Sequence, residues 1–329
     1  MQSESNCQMQ GELNSGSIGV IIPTYNAGKQ MVKCLNAIQG SSFQPRILII
    51  DSSSTDGTSQ IAIKMGVEVV SIPKEEFNHG ATRQLGVDLL PNAEILIFLT
   101  QDAILSSPDS IKNIVAPFVD DKVGAVCGRQ LAHPDASAIA AHARFFNYPE
   151  KSAVKTKEDI HRLGIKAAFL SNSFAAYRRT ALLDVGGFPS DVIFGEDTYV
   201  AAKMLHEGWK VAYSSEAACY HSHNYSVMEE FRRYFDIGVF HSREKWFIQT
   251  LGKPEGEGKK FVISELRYLL KHAFWLIPSA VVRTGIKLAG YKMGIREQNI
   301  PSRLKVKLSM NKGYWRVNPS WGKGNCNIA

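Results

Sequence analysis

Apolar and polar positions along the first half of the chain fall in blocks. Three short apolar runs each end in a polar cluster. Ile18–Ile22 leads into Pro23-Thr24-Tyr25-Asn26, Ile47–Ile50 into Asp51-Ser52-Ser53-Ser54, and Ile95–Leu99 into Thr100-Gln101-Asp102. A strand covered on both faces has this pattern, because neither face meets water. Between the runs, Lys29–Gln39 carries Met31, Val32, Leu35 and Ile38 at helical spacing, and Thr58–Met65 reads as a second helix behind Asp56-Gly57. Val67–Ile72 and Val123–Cys127 add further strands. This rhythm predicts an α/β fold, a mostly parallel sheet with helices on both faces. Ligands in such sheets bind beyond the carboxyl ends of the strands, so the three polar clusters point to one site.

The second half is less regular. Residues 133–164 are polar and aromatic without a clear period, and Phe169–Tyr177 is apolar with Ser171, Asn172 and Ser173 embedded in it. Gly195-Glu196-Asp197 precedes a helix expected over Thr198–Glu207, which Gly208 ends, and a helix rich in aromatics and arginines is expected over Val227–Trp246. Residues 251–258, rich in Gly with one Pro, read as a linker. Beyond them Phe261–Met293 repeats apolar residues at helical spacing (Leu266, Leu269, Leu270, Ala273, Phe274, Ile277). The expected organisation is a leader (1–17), a catalytic domain (18–250), a linker (251–258) and a helical basic extension (259–329).

Charge sharpens the last division. From Gly258 to Ala329, 14 Lys/Arg stand against Glu265 and Glu297, so this segment carries +12 in a chain of net charge +7 and the remainder is at −5. A basic extension on an acidic body suits an anionic surface, either nucleic acid or anionic lipid. The five cysteines are odd in number, widely spaced and without a Cys-x-x-Cys pair, so neither a zinc site nor a disulfide framework is indicated and a reducing compartment is the simplest setting. The polar first 17 residues show no signal peptide, and no run approaches the roughly 20 apolar residues that span a bilayer. No Gly-x-Gly-x-x-Gly follows the first strand and no P-loop occurs, which argues against a dinucleotide oxidoreductase or an NTPase.

Four ordered motifs, Pro23-Thr24-Tyr25-Asn26, Asp51-Ser52-Ser53-Ser54-Thr55-Asp56-Gly57-Thr58, Thr100-Gln101-Asp102 and Gly195-Glu196-Asp197, resemble those of family 2 glycosyltransferases over roughly residues 18–240. Phe77-Asn78-His79-Gly80-Ala81-Thr82-Arg83 and the Thr-Gln-Asp triplet look more narrowly like bacterial rhamnosyltransferases of surface polysaccharide synthesis. The resemblance implies the GT-A fold and an inverting transferase. Its donor would be a nucleotide sugar, dTDP-L-rhamnose by the narrower likeness, and its acceptor a polyprenyl-diphosphate-linked glycan. Non-processive addition is favoured because Ser242-Arg243-Glu244-Lys245-Trp246 lacks the Gln-x-x-Arg-Trp of processive synthases. A transferase using another nucleotide sugar, such as a UDP-sugar, and a non-catalytic nucleotide-sugar or glycan scaffold are the rival readings.

The same resemblance assigns roles. Pro23, Thr24, Tyr25, Asn26 and Asp51 would border the nucleotide; by its chemistry alone Asp51 could equally cap the turn of serines that follows it. Asn78, His79, Gly80 and Arg83 would contact the diphosphate and sugar, together with Gln101 and Asp102, and Arg232 and Arg233 would close over the phosphates. Asp102 would hold a divalent cation, Mg²⁺ or Mn²⁺, with His221 or His223 as a second ligand, since hard oxygen donors suit either ion. Thr100 stands where the family usually has the first Asp of Asp-x-Asp. Asp197 would be the general base, although a carboxylate in a first helical turn is also favoured by the helix dipole alone. Glu196 would orient the acceptor or a cation. The basic extension would hold the enzyme on the inner, cytoplasmic face of the membrane through Phe274–Ile277, flanked by Lys271 and Arg283; packing on the catalytic domain or a contact between two copies is the alternative. No nucleic-acid partner is expected.

Overall fold

The computed structural model describes residues 17–252 and 255–317. The expected leader up to residue 16, together with Cys7 and Cys326, lies outside them. A nine-stranded sheet forms the centre, built from β1 (Ile18–Thr24), β2 (Arg46–Asp51), β3 (Glu68–Ser71), β4 (Ile95–Leu99), β5 (Ile104–Leu105), β6 (Val123–Leu131), β7 (Ala153–Lys155), β8 (Phe174–Arg178) and β9 (Lys210–Tyr220). The order is β3-β2-β1-β4-β8-β6-β9-β5, with β7 also on β9. The first four strands are mutually parallel, β8 runs antiparallel to β4 and β6, and β9 is parallel to β6. Alternate residues feed two cores. Ile21, Leu48, Ile50, Leu96 and Phe98 face one side, and Val20, Ile22, Ile49, Ile97 and Leu99 face the other. This double burial is why these strands read as unbroken apolar runs.

The helices Lys29–Gln39 and Thr58–Lys64 lie where the apolar spacing places them. Four expectations are corrected. The helix expected from Thr198 begins at Glu196, because Gly195 takes the left-handed N-cap position (φ 74°). The single helix expected over Phe261–Met293 is two, Glu255–His272 and Ile277–Ile295, separated by a 3₁₀ turn at Phe274–Leu276. Pro278 lies in the first turn of the second helix, where its missing N–H is harmless; inside a continuous helix it would remove a hydrogen bond. The helix Val227–Arg243 likewise stops before a separate helix at Lys245–Leu251.

The linker is the fourth correction. Residues 255–258 are already helical, and Glu257 pairs with both Lys166 and Lys260. These contacts offset the roughly 1 kcal/mol that each helical glycine costs. The extension is also packed on the catalytic body. Helix Ile277–Ile295 lies against Val227–Arg243 so closely that a Cβ on Gly238, Gly290 or Gly294 would sit 2.1–2.4 Å from a backbone oxygen of the opposite helix. Buried Glu297 takes Arg243 and Lys305, and Glu230 takes Arg283 and Lys287. Several of the extension's positive charges are therefore neutralised internally. Arg283, expected to flank a membrane-facing segment, points inward.

Candidate active site

The carboxyl ends of β1 and β4 open into a cavity of about 780 Å³, whose wall includes Thr24, Asp102, Asp197, His221 and Arg233. β1 delivers Pro23, Thr24 and Tyr25, and the loop after β4 delivers Thr100, Gln101 and Asp102. Gln101 locks these two loops together: its Oε1 accepts from the Tyr25 N–H at 2.8 Å and its Nε2 donates to the Tyr25 carbonyl at 3.1 Å. The Tyr25 ring carries the Lys74 ammonium 4.2 Å from its centroid.

Asp51 is buried behind this wall, not on it. Its carboxylate accepts from the Thr24 hydroxyl (3.0 Å), the Ser54 N–H (2.8 Å) and the Ser54 hydroxyl (2.5 Å). Its donors are the end of β1 and the turn itself, so it caps the serines and ties that turn to β1. Asn26 is likewise occupied, accepting from the Thr55 N–H in a left-handed backbone conformation (φ 48°). Asn78 caps the helix His79–Leu89 through its Oδ1 and donates its amide to Ser190 O. At Gly80 a Cβ would stand 1.7 Å from Pro189 O, so this position serves close backbone packing. Arg232 donates to Lys307 O and is not part of the wall. These five expected contacts build the frame of the cavity.

Asp102 meets both expected histidines. Its Oδ2 lies 3.4 Å from His221 Nε2 and 3.6 Å from His223 Nε2, and the three ligand atoms lie within 4.8 Å of one another. β9 brings the histidines here, since it pairs in parallel with β6 through Leu131↔Tyr220. Gln130 on β6 sets the tautomer. Its Oε1 faces His221 Nδ1 at 2.9 Å and also accepts from Arg144, while its Nε2 donates to Ser171. Nδ1 of His221 therefore carries a proton, and Nε2 is turned towards the Asp102 carboxylate. Burial and the adjacent His221 push the His223 imidazole down to about 4, which leaves it neutral. Burial opposes ionisation of Asp102, yet the His221 contacts hold its carboxyl well below the usual range. A carboxylate and two imidazoles converging on one point form a donor set that fits a divalent cation.

On the opposite side, Glu196 and Asp197 start the helix Glu196–His206 and play different parts. Glu196 is buried in an ion pair with Arg83 (3.0 Å), and Arg83 also donates to His79 O. Burial raises the Glu196 pKa, but contributions led by the Arg83 charge outweigh it and keep the carboxyl ionised. Asp197 has no ion-pair partner among the described residues. It accepts from the backbone N–H groups of Asn172 (3.0 Å) and Thr198 (2.7 Å). Burial, reinforced by the Glu196 charge, pushes its pKa up to about 6. Asn172 holds the pair in place, since its Nδ2 donates to Glu196 and its Oδ1 accepts from the Tyr177 hydroxyl. Two adjacent carboxylates in unlike environments separate into a fixed anion and a usable base.

Several residues of the wall belong to none of the sequence motifs. Asn172 was visible only as a polar interruption of an apolar run. Asp236 is buried on the helix Val227–Arg243 and lines the cavity. Met310 and Asn311 come from the C-terminal segment, where Ser309 Oγ, Met310 N–H and Asn311 N–H all donate to Asp236. Arg233 closes this side, with its guanidinium 4.8 Å from the Phe194 ring centroid.

A sheet whose strand ends gather a carboxylate–histidine cluster and, across one cavity, a helix-borne pair of carboxylates has the architecture of a GT-A-type glycosyltransferase. The chain belongs to glycosyl transferase family 2, whose profile matches residues 19–186. It is 49% identical over 300 residues to the O-antigen chain rhamnosyltransferase RfbN of Salmonella typhimurium, covering 91% of this chain and 96% of that one. It is 46% identical over 301 residues to the O-antigen chain rhamnosyltransferase WbaN of Salmonella anatum, with the same coverage. The fold matches a Pyrobaculum calidifontis mannosyltransferase in complex with GDP-Man and Mn²⁺ at a TM-score of 0.53 and 20% identity, covering 94% of this chain and 88% of that one.

Proposed function

We propose that this glycosyltransferase moves L-rhamnose from dTDP-L-rhamnose to a polyprenyl-diphosphate-linked glycan during O-antigen-type polysaccharide synthesis. The observation that carries the reading is near half identity, along almost the whole chain, to two O-antigen chain rhamnosyltransferases. In this reading the acceptor hydroxyl attacks the anomeric carbon in one inverting displacement as Asp197 takes its proton. Arg83, held by Glu196, and Arg233 present positive charge to the diphosphate; a planar guanidinium suits phosphate oxygens. Asp102, His221 and His223 would hold a divalent cation, which would neutralise charge on the leaving nucleoside diphosphate. The test is a donor screen reading both thermal shift and nucleoside diphosphate release. The expected result is faster turnover with dTDP-L-rhamnose than with UDP- or GDP-hexoses by at least about tenfold. An equal or larger response to a UDP-sugar would overturn the donor assignment.

The reading extends to where the enzyme works. No helix among the described residues is long and apolar enough to cross a membrane. The extension nevertheless exposes Leu270 (65%), Phe274 (66%), Trp275 (65%), Val281 (57%) and Val282 (58%) beside the outward-facing Arg267 and Lys271. Apolar tips with neighbouring cations suit the inner, cytoplasmic face of an anionic bilayer, where each cation contributes about 1 kcal/mol. The full chain is expected to float with phosphatidylglycerol vesicles at low salt, and Phe274→Ser/Trp275→Ser to remain at the bottom of the gradient. Equal flotation of the two proteins, or none of either, refutes docking by this face; a concentration-dependent dimer that hides the patch counts against it as well.

A further inference from the structure

Asn311 reaches the cavity from a part of the chain far from the family motifs, and its amide is held so that only one orientation works. Its Nδ2 donates to Ile193 O at 2.9 Å and to Asp236 Oδ2 at 3.3 Å. A carbonyl and a carboxylate only accept, so the NH₂ end must face them. The Oδ1 end then lies 3.1 Å from His79 Nε2. An amide oxygen also only accepts, so His79 must carry its proton on Nε2. The other ring nitrogen, Nδ1, is left with a lone pair, and His79 lines the cavity. Phe77 packs its ring edge-on at 5.0 Å between centroids and keeps the imidazole from turning.

We infer that Asn311 and Asp236 are positioning residues that fix His79 as a hydrogen-bond acceptor for a hydroxyl of the transferred sugar. The inference rests on the glycosyltransferase reading of this cavity. Burial lowers the His79 pKa and outweighs the opposing charge of Glu196, so the ring is neutral near pH 7. A neutral nitrogen lone pair repels phosphate oxygens, which are acceptors too; it takes a hydroxyl. The work is thereby divided: Arg83 and Arg233 offer donors to the diphosphate, and His79 offers an acceptor to the sugar. The carboxylate of Asp236 is engaged by four donors from residues 309–311, so the C-terminal segment and the His79 proton are set by one group.

The test combines a spectroscopic and a binding measurement on the full chain labelled with ¹⁵N in histidine. In the wild type the His79 signals, assigned by their loss in His79→Asn, should show an unprotonated Nδ1 and a protonated Nε2. In Asn311→Ala the two tautomers should mix. The same variant should bind free dTDP as the wild type does, while its affinity for dTDP-L-rhamnose falls by roughly tenfold, the worth of one hydrogen bond. A wild-type ring protonated on Nδ1 overturns the inference whatever the variant does. Equal loss of dTDP and dTDP-L-rhamnose overturns it too, because that marks a collapsed wall. Failure of the wild type to bind any nucleotide sugar would overturn the transferase reading along with it.

Discussion

Asp197→Asn should lower turnover by two to four orders of magnitude while leaving donor affinity close to wild type. That range is what a positioned proton acceptor contributes, and the base acts chiefly in the transition state. The exchange is nearly isosteric, so thermal stability should change little. The pH profile supplies an independent check. With its pKa raised to about 6 by burial and by the Glu196 charge, Asp197 is ionised at pH 7 and becomes protonated below about 6. The acid limb of kcat/KM should therefore bend near pH 6 and fall tenfold for each further unit. A pKa this high also makes the carboxylate a better proton acceptor than an ordinary surface Asp, whose pKa lies near 4. Near-normal turnover in the variant, or an acid limb bending near pH 4, would remove Asp197 from the role of base.

Removal of the divalent cation should have a comparable effect. Asp102→Ala, or chelator added at saturating donor, is expected to reduce turnover by about two to three orders of magnitude, because the charge stabilisation a metal supplies amounts to several kcal/mol. Activity should return to the chelated wild type with Mn²⁺ or Mg²⁺ and not to Asp102→Ala. Binding can be read without catalysis by Mn²⁺ electron paramagnetic resonance, where His221→Ala should weaken the complex. Because Thr100 stands where a second carboxylate is usual, one acid and two imidazoles would hold the ion, and Mn²⁺ should bind weakly alone and more tightly with dTDP. Undiminished turnover in excess chelator would refute the metal assignment.

Much of this site was legible from the residues because strand ends in a parallel sheet advertise themselves. An apolar run that stops at Thr100-Gln101-Asp102 fixes both the strand and the place where its loop opens. Glu196 and Asp197 stood out behind a glycine that starts a helix. What the sequence concealed was partnership. Asp51 looks the same whether its oxygens meet a base or the hydroxyls of Thr24 and Ser54, and only the register of β1 beside β2 shows the latter. β9 escaped notice because Ser214-Ser215-Glu216 interrupts its apolar pattern, although the strand is paired on both edges and carries the chain to His221. Met310 and Asn311 had no periodicity to betray them. Their place depends on Asp236, a lone acid among aromatics that reads as an oddity until its four donors are seen.

The contact between His79 and Asn311 joins positions 232 residues apart. The N-terminal part of a chain leaves the ribosome first, and contacts of such long range form late because a large loop must close before they are gained. Asp102, the histidine pair and Asp197 therefore all emerge while the cavity still lacks one wall. That wall can be completed only when synthesis has passed residue 311, after the apolar tips around Phe274 and Trp275 have been made. The order of translation thus exposes the apolar tips before the cavity wall is complete.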